Sequence, residues 1–130
     1  MKEWDDVETS SYWFDVGHDF FMQAKYAEAI ACLTEAIQLN PKYANSWGLK
    51  GTALHYFGHH DESLTCFDEA IRLNPDKDLL ALSLGLKASV LSDLNRNEES
   101  FAYLDRAIKI DPDDIHYLEY CCWGIADYDW

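Results

Sequence analysis

The 130-residue sequence contains few basic residues. Ten Lys and Arg stand against 24 Asp and Glu, which gives a formal net charge of -14. A negative field of this size repels nucleic acid and anionic membranes, and it attracts basic molecules. We therefore expect no nucleic-acid partner and no membrane partner. The acidic residues are concentrated at both ends. Residues 1–24 hold six carboxylates and one Lys, and residues 111–130 hold six carboxylates and no Lys or Arg.

Long apolar runs are also missing. No uninterrupted apolar stretch approaches the ~18–20 residues that span a bilayer. Residues 1–6 are acidic, whereas a signal peptide begins basic and continues apolar. The four cysteines lack the spacing of a disulfide scaffold or a zinc ribbon. These features predict a cytoplasmic protein.

The common catalytic and cofactor-binding motifs are absent from the sequence. It has no glycine-rich phosphate loop, no nucleophile elbow and no HExxH pair. The carboxylates alternate with apolar positions, as on the solvent face of a helix. The sequence therefore predicts a protein that is not an enzyme and holds no cofactor.

An internal repeat is the main feature that the sequence does contain. Segments 33–41, 67–75 and 104–112 align without gaps, and each ends in proline. The first and second prolines are 34 residues apart, and the second and third are 37 apart. About three residues are therefore inserted near positions 76–80.

Each repeat unit predicts two helices. Apolar and small residues follow the i, i+3, i+4, i+7 spacing of one helical face. The stripes of the three units are Trp13, Val16, Gly17, Phe20 with Ala29, Leu33, Ala36; Trp47, Gly51, Leu54 with Ser63, Phe67, Ala70; and Leu84, Ala88, Leu91 with Ser100, Leu104, Ala107. Gly58 and Asn95 fall in the turns between paired helices, where a left-handed backbone is common, and Asp61 and Asn97 are predicted N-caps.

This pattern resembles the tetratricopeptide repeat, a 34-residue unit of Trp, Leu-Gly, Tyr, Ala, Phe, Ala and Pro. The resemblance implies an all-α fold, a right-handed α-α superhelix of three helix-turn-helix repeats with a capping helix. The predicted boundaries are an acidic N-terminal segment at 1–9, repeats at 10–43, 44–77 and 78–112, and a capping helix with an acidic aromatic tail at 113–130. Some positions depart from the family pattern. Ser63 and Ser100 replace an alanine, and Lys50 and Lys87 replace a leucine. We expect both lysines to reach past the packed stripe to water.

The resemblance also implies a non-catalytic protein–protein interaction module, which binds a peptide or helix of a partner protein in its concave groove. The predicted contact residues are Phe14, His18, Phe21, Asn45, Thr52, His55, Tyr56 and Ser89. The alternative is that the aromatic residues among them cover one another or contact the segment around Trp4.

The charge of the partner can also be predicted. Family members that bind chaperone tails hold a C-terminal dicarboxylate with Lys, Asn and Arg on the groove helices. The matching positions here are Phe14, His18, Leu49, Leu82 and Leu86. Because that clamp is absent and the net charge is negative, we expect a neutral or basic protein or peptide rather than an acidic one.

Two other functions are compatible with the sequence. The acidic surface could sequester a basic partner, as a nucleic-acid mimic or an inhibitor does. Alternatively, Tyr117, Tyr120 and Trp123 lie off the core stripe of the last predicted helix, and an apolar outer face invites self-assembly as a homodimer.

The histidines and cysteines are the candidate metal-binding or reactive side chains of the sequence. His55, His59 and His60 cluster at the end of a predicted helix, with Asp61 next to them, and His55 and His59 are spaced i, i+4. No third ligand has a convincing spacing, so we expect no metal site. Cys32 and Cys66 occupy equivalent positions in two units, which favours packing over reactivity.

Overall fold

The computed structural model describes the backbone of residues 3–73 and 76–110, and side chains from residue 9 onward in those ranges. Within them the chain forms six α-helices and no strand: α1 Glu3–Met22, α2 Tyr26–Leu39, α3 Ala44–Phe57, α4 His60–Arg72, α5 Lys77–Asp93 and α6 Asn97–Ile110. Consecutive helices pack as three pairs, and each pair packs on the next. The predicted all-α repeat solenoid is confirmed. The predicted capping helix at 113–130 lies outside the described residues.

The turn inside each helix pair has the same geometry. Gly58 has φ 93° and Asn95 has φ 62°, as the sequence predicts, and the equivalent Ala24 has φ 61°. The residue directly after each of these positive-φ residues donates its N–H to the carbonyl five residues earlier in the chain. These hydrogen bonds join Lys25 to Phe20, His59 to Leu54 and Arg96 to Leu91, at 2.8–2.9 Å. Such bonds satisfy the carbonyls at the end of the first helix.

The helix starts differ from the predicted caps. His59 occupies the N-cap position of α4, without a side-chain cap bond, so the prediction that Asp61 caps this helix is wrong. Asn97 is the first residue of α6. A side-chain cap does occur at α5, where the Asp76 carboxylate accepts a hydrogen bond from the Leu79 N–H at 2.9 Å.

The inserted residues lengthen a helix. α5 has 17 residues and its counterpart α3 has 14, so the three extra residues form nearly one additional turn of helix. This turn begins directly after the Asp76 cap. The insertion therefore projects extra side chains from the start of α5.

Small residues let paired helices approach closely. A Cβ placed on Gly17 would lie 2.9 Å from Leu33 Cγ, and one on Gly51 would lie 3.0 Å from Phe67 Cε1. Both spacings are tighter than ordinary van der Waals contact. The large partners Leu33 and Phe67 are fully buried. The predicted core stripes thus meet along these helix pairs.

Lys87 does not reach water as the sequence analysis expected. The residue is 8% exposed, its Nζ contacts the Asp68 carboxylate on α4, and it donates a hydrogen bond to Tyr103 Oη on α6 at 2.8 Å. The expectation failed because a carboxylate and a phenol from two neighbouring helices meet the ammonium group. Lys87 therefore joins three helices.

None of the helices that the structure describes is both long and apolar enough to cross a membrane.

Candidate peptide-binding groove

The first helices of the three units, α1, α3 and α5, line a groove. Its larger part, here called the wide section, has a volume of about 590 Å³ and includes Phe14, His18, Gly48 and Leu82 in its lining. A second part of about 420 Å³, here called the aromatic section, is lined by Phe21, Met22, Tyr26, Tyr56 and the residues shared with the wide section. The shared residues are Leu49, Thr52, Leu82 and Leu86. The two sections therefore form one continuous surface.

The wide section has an apolar floor with room for a side chain. A Cβ on Gly48 would lie 3.7 Å from Leu79 Cδ1 and 3.9 Å from Ser83 Oγ, which is ordinary contact distance. Thr52 donates its hydroxyl hydrogen to the Gly48 carbonyl at 2.9 Å, so this donor is already used within α3. A ligand here meets mainly leucine side chains and small residues.

Charge lies at one rim of the wide section. Asp76 and Asp78, at the start of α5, both line it and are exposed. Among the described lining residues of this section, none is Lys or Arg. His18 lies on α1, with its ring stacked on Phe14 at a centroid distance of 6.5 Å. The rim is therefore negative.

The aromatic section is partly covered by its own residues. Phe21, Tyr26 and Tyr56 contact one another, with ring centroids 5.6–5.9 Å apart. Tyr56 nevertheless stays 47% exposed. The alternative drawn from the sequence, that the aromatic residues cover one another, thus applies to part of their surface. The side chain of Trp4 lies outside the described residues.

The structure places most predicted contact residues in this groove. Phe14, His18, Asn45 and Thr52 line the wide section, and Phe21, Thr52 and Tyr56 line the aromatic section. Among the residues described, two of the predicted set line neither section: Ser89, which is buried in α5, and His55. Their role in binding stays a prediction. Tyr117, Tyr120 and Trp123, predicted for self-association, lie outside the described residues.

Several groove residues were missed from the sequence, and four of them lie at the start of α5 or on α2. Asp76, Asp78 and Leu79 belong to the cap and first turn of the lengthened α5, and Tyr26 belongs to α2. The predicted contact residues all lie on the first helix of a unit, which leaves out Tyr26 on α2. They were also chosen at positions equivalent to those of a regular repeat, which leaves out the extra turn at the start of α5. A search for charge beside the insertion would have found both aspartates.

His55 instead lies in a small polar cluster. Its Nδ1 is 3.4 Å from His60 Nδ1, and its Nε2 is 3.6 Å from Asp93 Oδ2. Burial lowers the pKa of His55, Asp93 opposes this by raising it, and His60 lowers it further. His59, which the sequence pairs with His55, contacts Glu62 at 3.2 Å. The i, i+4 spacing does not place His55 and His59 on one helical face, because α3 ends before His59.

Comparison with known families agrees with this architecture. The chain matches the tetratricopeptide repeat at residues 10–43, and again at 44–77 and 81–114. These matches cover more than half of the chain, which belongs to the tetratricopeptide repeat family. No curated protein matches the sequence.

Solved structures with this fold include domains bound to peptides. The first tetratricopeptide domain of Spaghetti (RPAP3), bound to the HSP90 peptide SRMEEVD, is 17% identical with a TM-score of 0.81, over 92% of this chain and 93% of that one. The Arabidopsis OM64 domain is 16% identical with a TM-score of 0.81, over 95% and 99%. The TPR2B domain of yeast Sti1, in complex with pHsp70, is 16% identical with a TM-score of 0.79, over 93% and 99%.

Proposed function

We propose that this protein is a non-catalytic interaction module that binds a peptide or helix of a partner protein in the groove between α1, α3 and α5. The observation that carries this proposal is the continuous groove, which has an open apolar floor at Gly48 and an aromatic end. The peptide-bound domains of RPAP3 and Sti1 support the same use of the fold.

The ligand class follows from the groove lining. The wide section offers leucine side chains and space above Gly48, which suits a bulky apolar side chain. Asp76 and Asp78 at its rim favour a Lys or Arg close to that side chain, and they disfavour carboxylates. We therefore propose a neutral or basic peptide, in contrast to the acidic SRMEEVD bound by RPAP3.

Peptide selection tests this ligand class. A random peptide library displayed on phage is panned against the whole protein, and the enriched sequences are synthesised and measured by fluorescence anisotropy. We expect enrichment of an aromatic or aliphatic residue beside Lys or Arg. Enrichment of acidic peptides, or no enrichment above an unrelated protein, would contradict the proposal.

A charge reversal with a matched control locates the site. Asp78→Lys changes the groove rim, whereas Glu35→Lys makes the same change on the exposed face of α2. We expect Asp78→Lys to weaken binding of a basic selected peptide by about tenfold, and Glu35→Lys to change it far less. Equal effects from both variants would indicate attraction by net charge rather than binding at the groove.

The net charge of -14 supports a second candidate function, the sequestration of a basic partner by the acidic surface. Binding of that kind weakens strongly as salt is raised, because exposed charges are screened. Binding in the apolar groove tolerates salt. Self-assembly through Tyr117, Tyr120 and Trp123 is a further proposal from the sequence, and a monomeric mass by light scattering at high protein concentration would contradict it.

A further inference from the structure

Three potential metal ligands from three helices meet at one edge of the solenoid. His55 lies near the end of α3, His60 begins α4 and Asp93 ends α5. One ligand atom from each residue lies within 4.8 Å of the other two. None of these three side chains lines the wide section or the aromatic section of the groove.

We propose that His55, His60 and Asp93 form a binding site for a divalent transition-metal ion of the Zn²⁺ type. A tetrahedral ion with Zn–N and Zn–O bonds of about 2.0–2.2 Å holds its ligand atoms about 3.3–3.5 Å apart. The His55 and His60 Nδ1 atoms are already 3.4 Å apart. All three ligand atoms lie within 4.8 Å of one another, so bringing the widest pair to tetrahedral spacing takes a side-chain shift of at most roughly 1–1.5 Å.

The distances fit metal ligands better than a hydrogen-bonded cluster. Strong N–H···O and N–H···N bonds span about 2.7–3.2 Å. The contacts of His55 with His60, at 3.4 Å, and with Asp93, at 3.6 Å, are both longer. The two contacts involve different nitrogens of His55, and an ion bound among the three side chains takes only one of these nitrogens, so it replaces one of the two contacts.

The donor set selects the kind of metal. Two imidazoles and one carboxylate suit Zn²⁺, Co²⁺, Ni²⁺ and Cu²⁺, whereas Ca²⁺ and Mg²⁺ prefer all-oxygen sites. Three protein ligands leave a fourth position for water. The His55 side chain is 13% exposed and that of Asp93 is 42% exposed, so an ion can enter from the Asp93 side.

A bound ion would connect the second and third repeats. His55 and His60 flank the turn between α3 and α4, and Asp93 belongs to the next helix pair. Because the site exists only in the folded chain, metal binding stabilises the folded state. The expected consequence is a solenoid that resists unfolding more strongly when the ion is present.

The test is metal titration of the whole protein after treatment with chelator. Zn²⁺ is followed by calorimetry and thermal unfolding, and Co²⁺ by its visible absorption. We expect one ion per chain, a Tm that rises with Zn²⁺ and falls again with chelator, and no response to Mg²⁺ at equal concentration.

Variants assign the ligands. His60→Ala and the isosteric Asp93→Asn should each weaken Zn²⁺ binding at least about tenfold. His59→Ala is the matched control, because His59 lies in the same turn and contacts Glu62 instead, and it should bind as the wild type does. Circular dichroism establishes that each variant is folded. The proposal is overturned if no saturable binding occurs, or if His59→Ala loses as much affinity as the two ligand variants.

Discussion

Ser63 on α4 donates a hydrogen bond from its hydroxyl to the carbonyl of Gly51 on α3, over 2.7 Å. One repeat later Ser100 donates to the carbonyl of Ala88, also over 2.7 Å. Both serines are buried, and the first unit has Ala29 at the equivalent position. In the repeat pattern these serines are small replacements for alanine. In the folded chain they also bond the two helices of a pair together.

Removing this hydroxyl should weaken the fold. Ser63→Ala deletes the bond to Gly51, and we expect a loss of about 1 kcal/mol in the free energy of unfolding. Thr65→Ala is a suitable control, because Thr65 is exposed and its hydroxyl bonds only within α4, at 3.3 Å. Urea unfolding followed by circular dichroism gives both values. A Ser63→Ala effect no larger than that of Thr65→Ala would show that the bond contributes little.

The two glycines of α3 should respond oppositely to alanine. At Gly51 a Cβ meets the rigid, buried ring of Phe67 at 3.0–3.1 Å, so we expect Gly51→Ala to destabilise by about 1–3 kcal/mol. At Gly48 the nearest atom is 3.7 Å away, so Gly48→Ala should be neutral or stabilising by up to about 1 kcal/mol through helix propensity. Chemical unfolding of both variants compares them directly, and a destabilised Gly48→Ala would contradict the packing described here.

The turn at Ala24 should favour glycine. Ala24 adopts φ 61°, a left-handed conformation that a Cβ disfavours and that its counterpart Gly58 adopts freely. We expect Ala24→Gly to stabilise the protein by about 0.5–1 kcal/mol. Ala27→Gly, at an exposed position in the first turn of α2, should destabilise it by a similar amount. Thermal unfolding distinguishes the two, and a fall in Tm for Ala24→Gly would contradict the expectation.

The buried thiol of Cys66 should make stability depend on alkaline pH. Burial raises the pKa of Cys66 from 9.0 to about 11; Lys50 opposes this by lowering the pKa, and Glu62 and Glu69 raise it further. The folded state therefore holds this proton more tightly than the unfolded state does. The contribution of this proton to the free energy of unfolding is fully present below about pH 9, and it is lost as the pH rises towards 11.

Cys66→Ala isolates this effect from other titrations. The variant is less stable than the wild type at pH 8 because it leaves a small cavity. We expect the difference in free energy of unfolding to shrink by about 2 kcal/mol between pH 8 and pH 11. Urea unfolding at several pH values provides the comparison. A difference that stays constant over this range would contradict a raised Cys66 pKa.

The fold and much of the groove could be predicted because they depend on periodicity. The family resemblance implied a groove along the first helix of each unit, and helical spacing then placed Phe14 and Thr52 on the inner faces of α1 and α3, where the structure has them. The count of inserted residues near 76–80 did not reveal whether they form a loop or a turn of helix, so Asp78 was missed. Asp93 was missed as a neighbour of His55 because their proximity depends on how two repeats pack.

The most direct test of groove binding is one titration performed with two proteins. Gly48→Leu adds bulk to the floor of the wide section, at a position where an added Cβ makes only ordinary contacts with Leu79 and Ser83. The affinity of wild type and of Gly48→Leu for the same selected peptide is measured at about 150 mM salt, with folding established by circular dichroism. We expect at least about tenfold weaker binding to the folded Gly48→Leu protein. Equal affinity of the two proteins would contradict it, and would place the binding surface elsewhere on the chain.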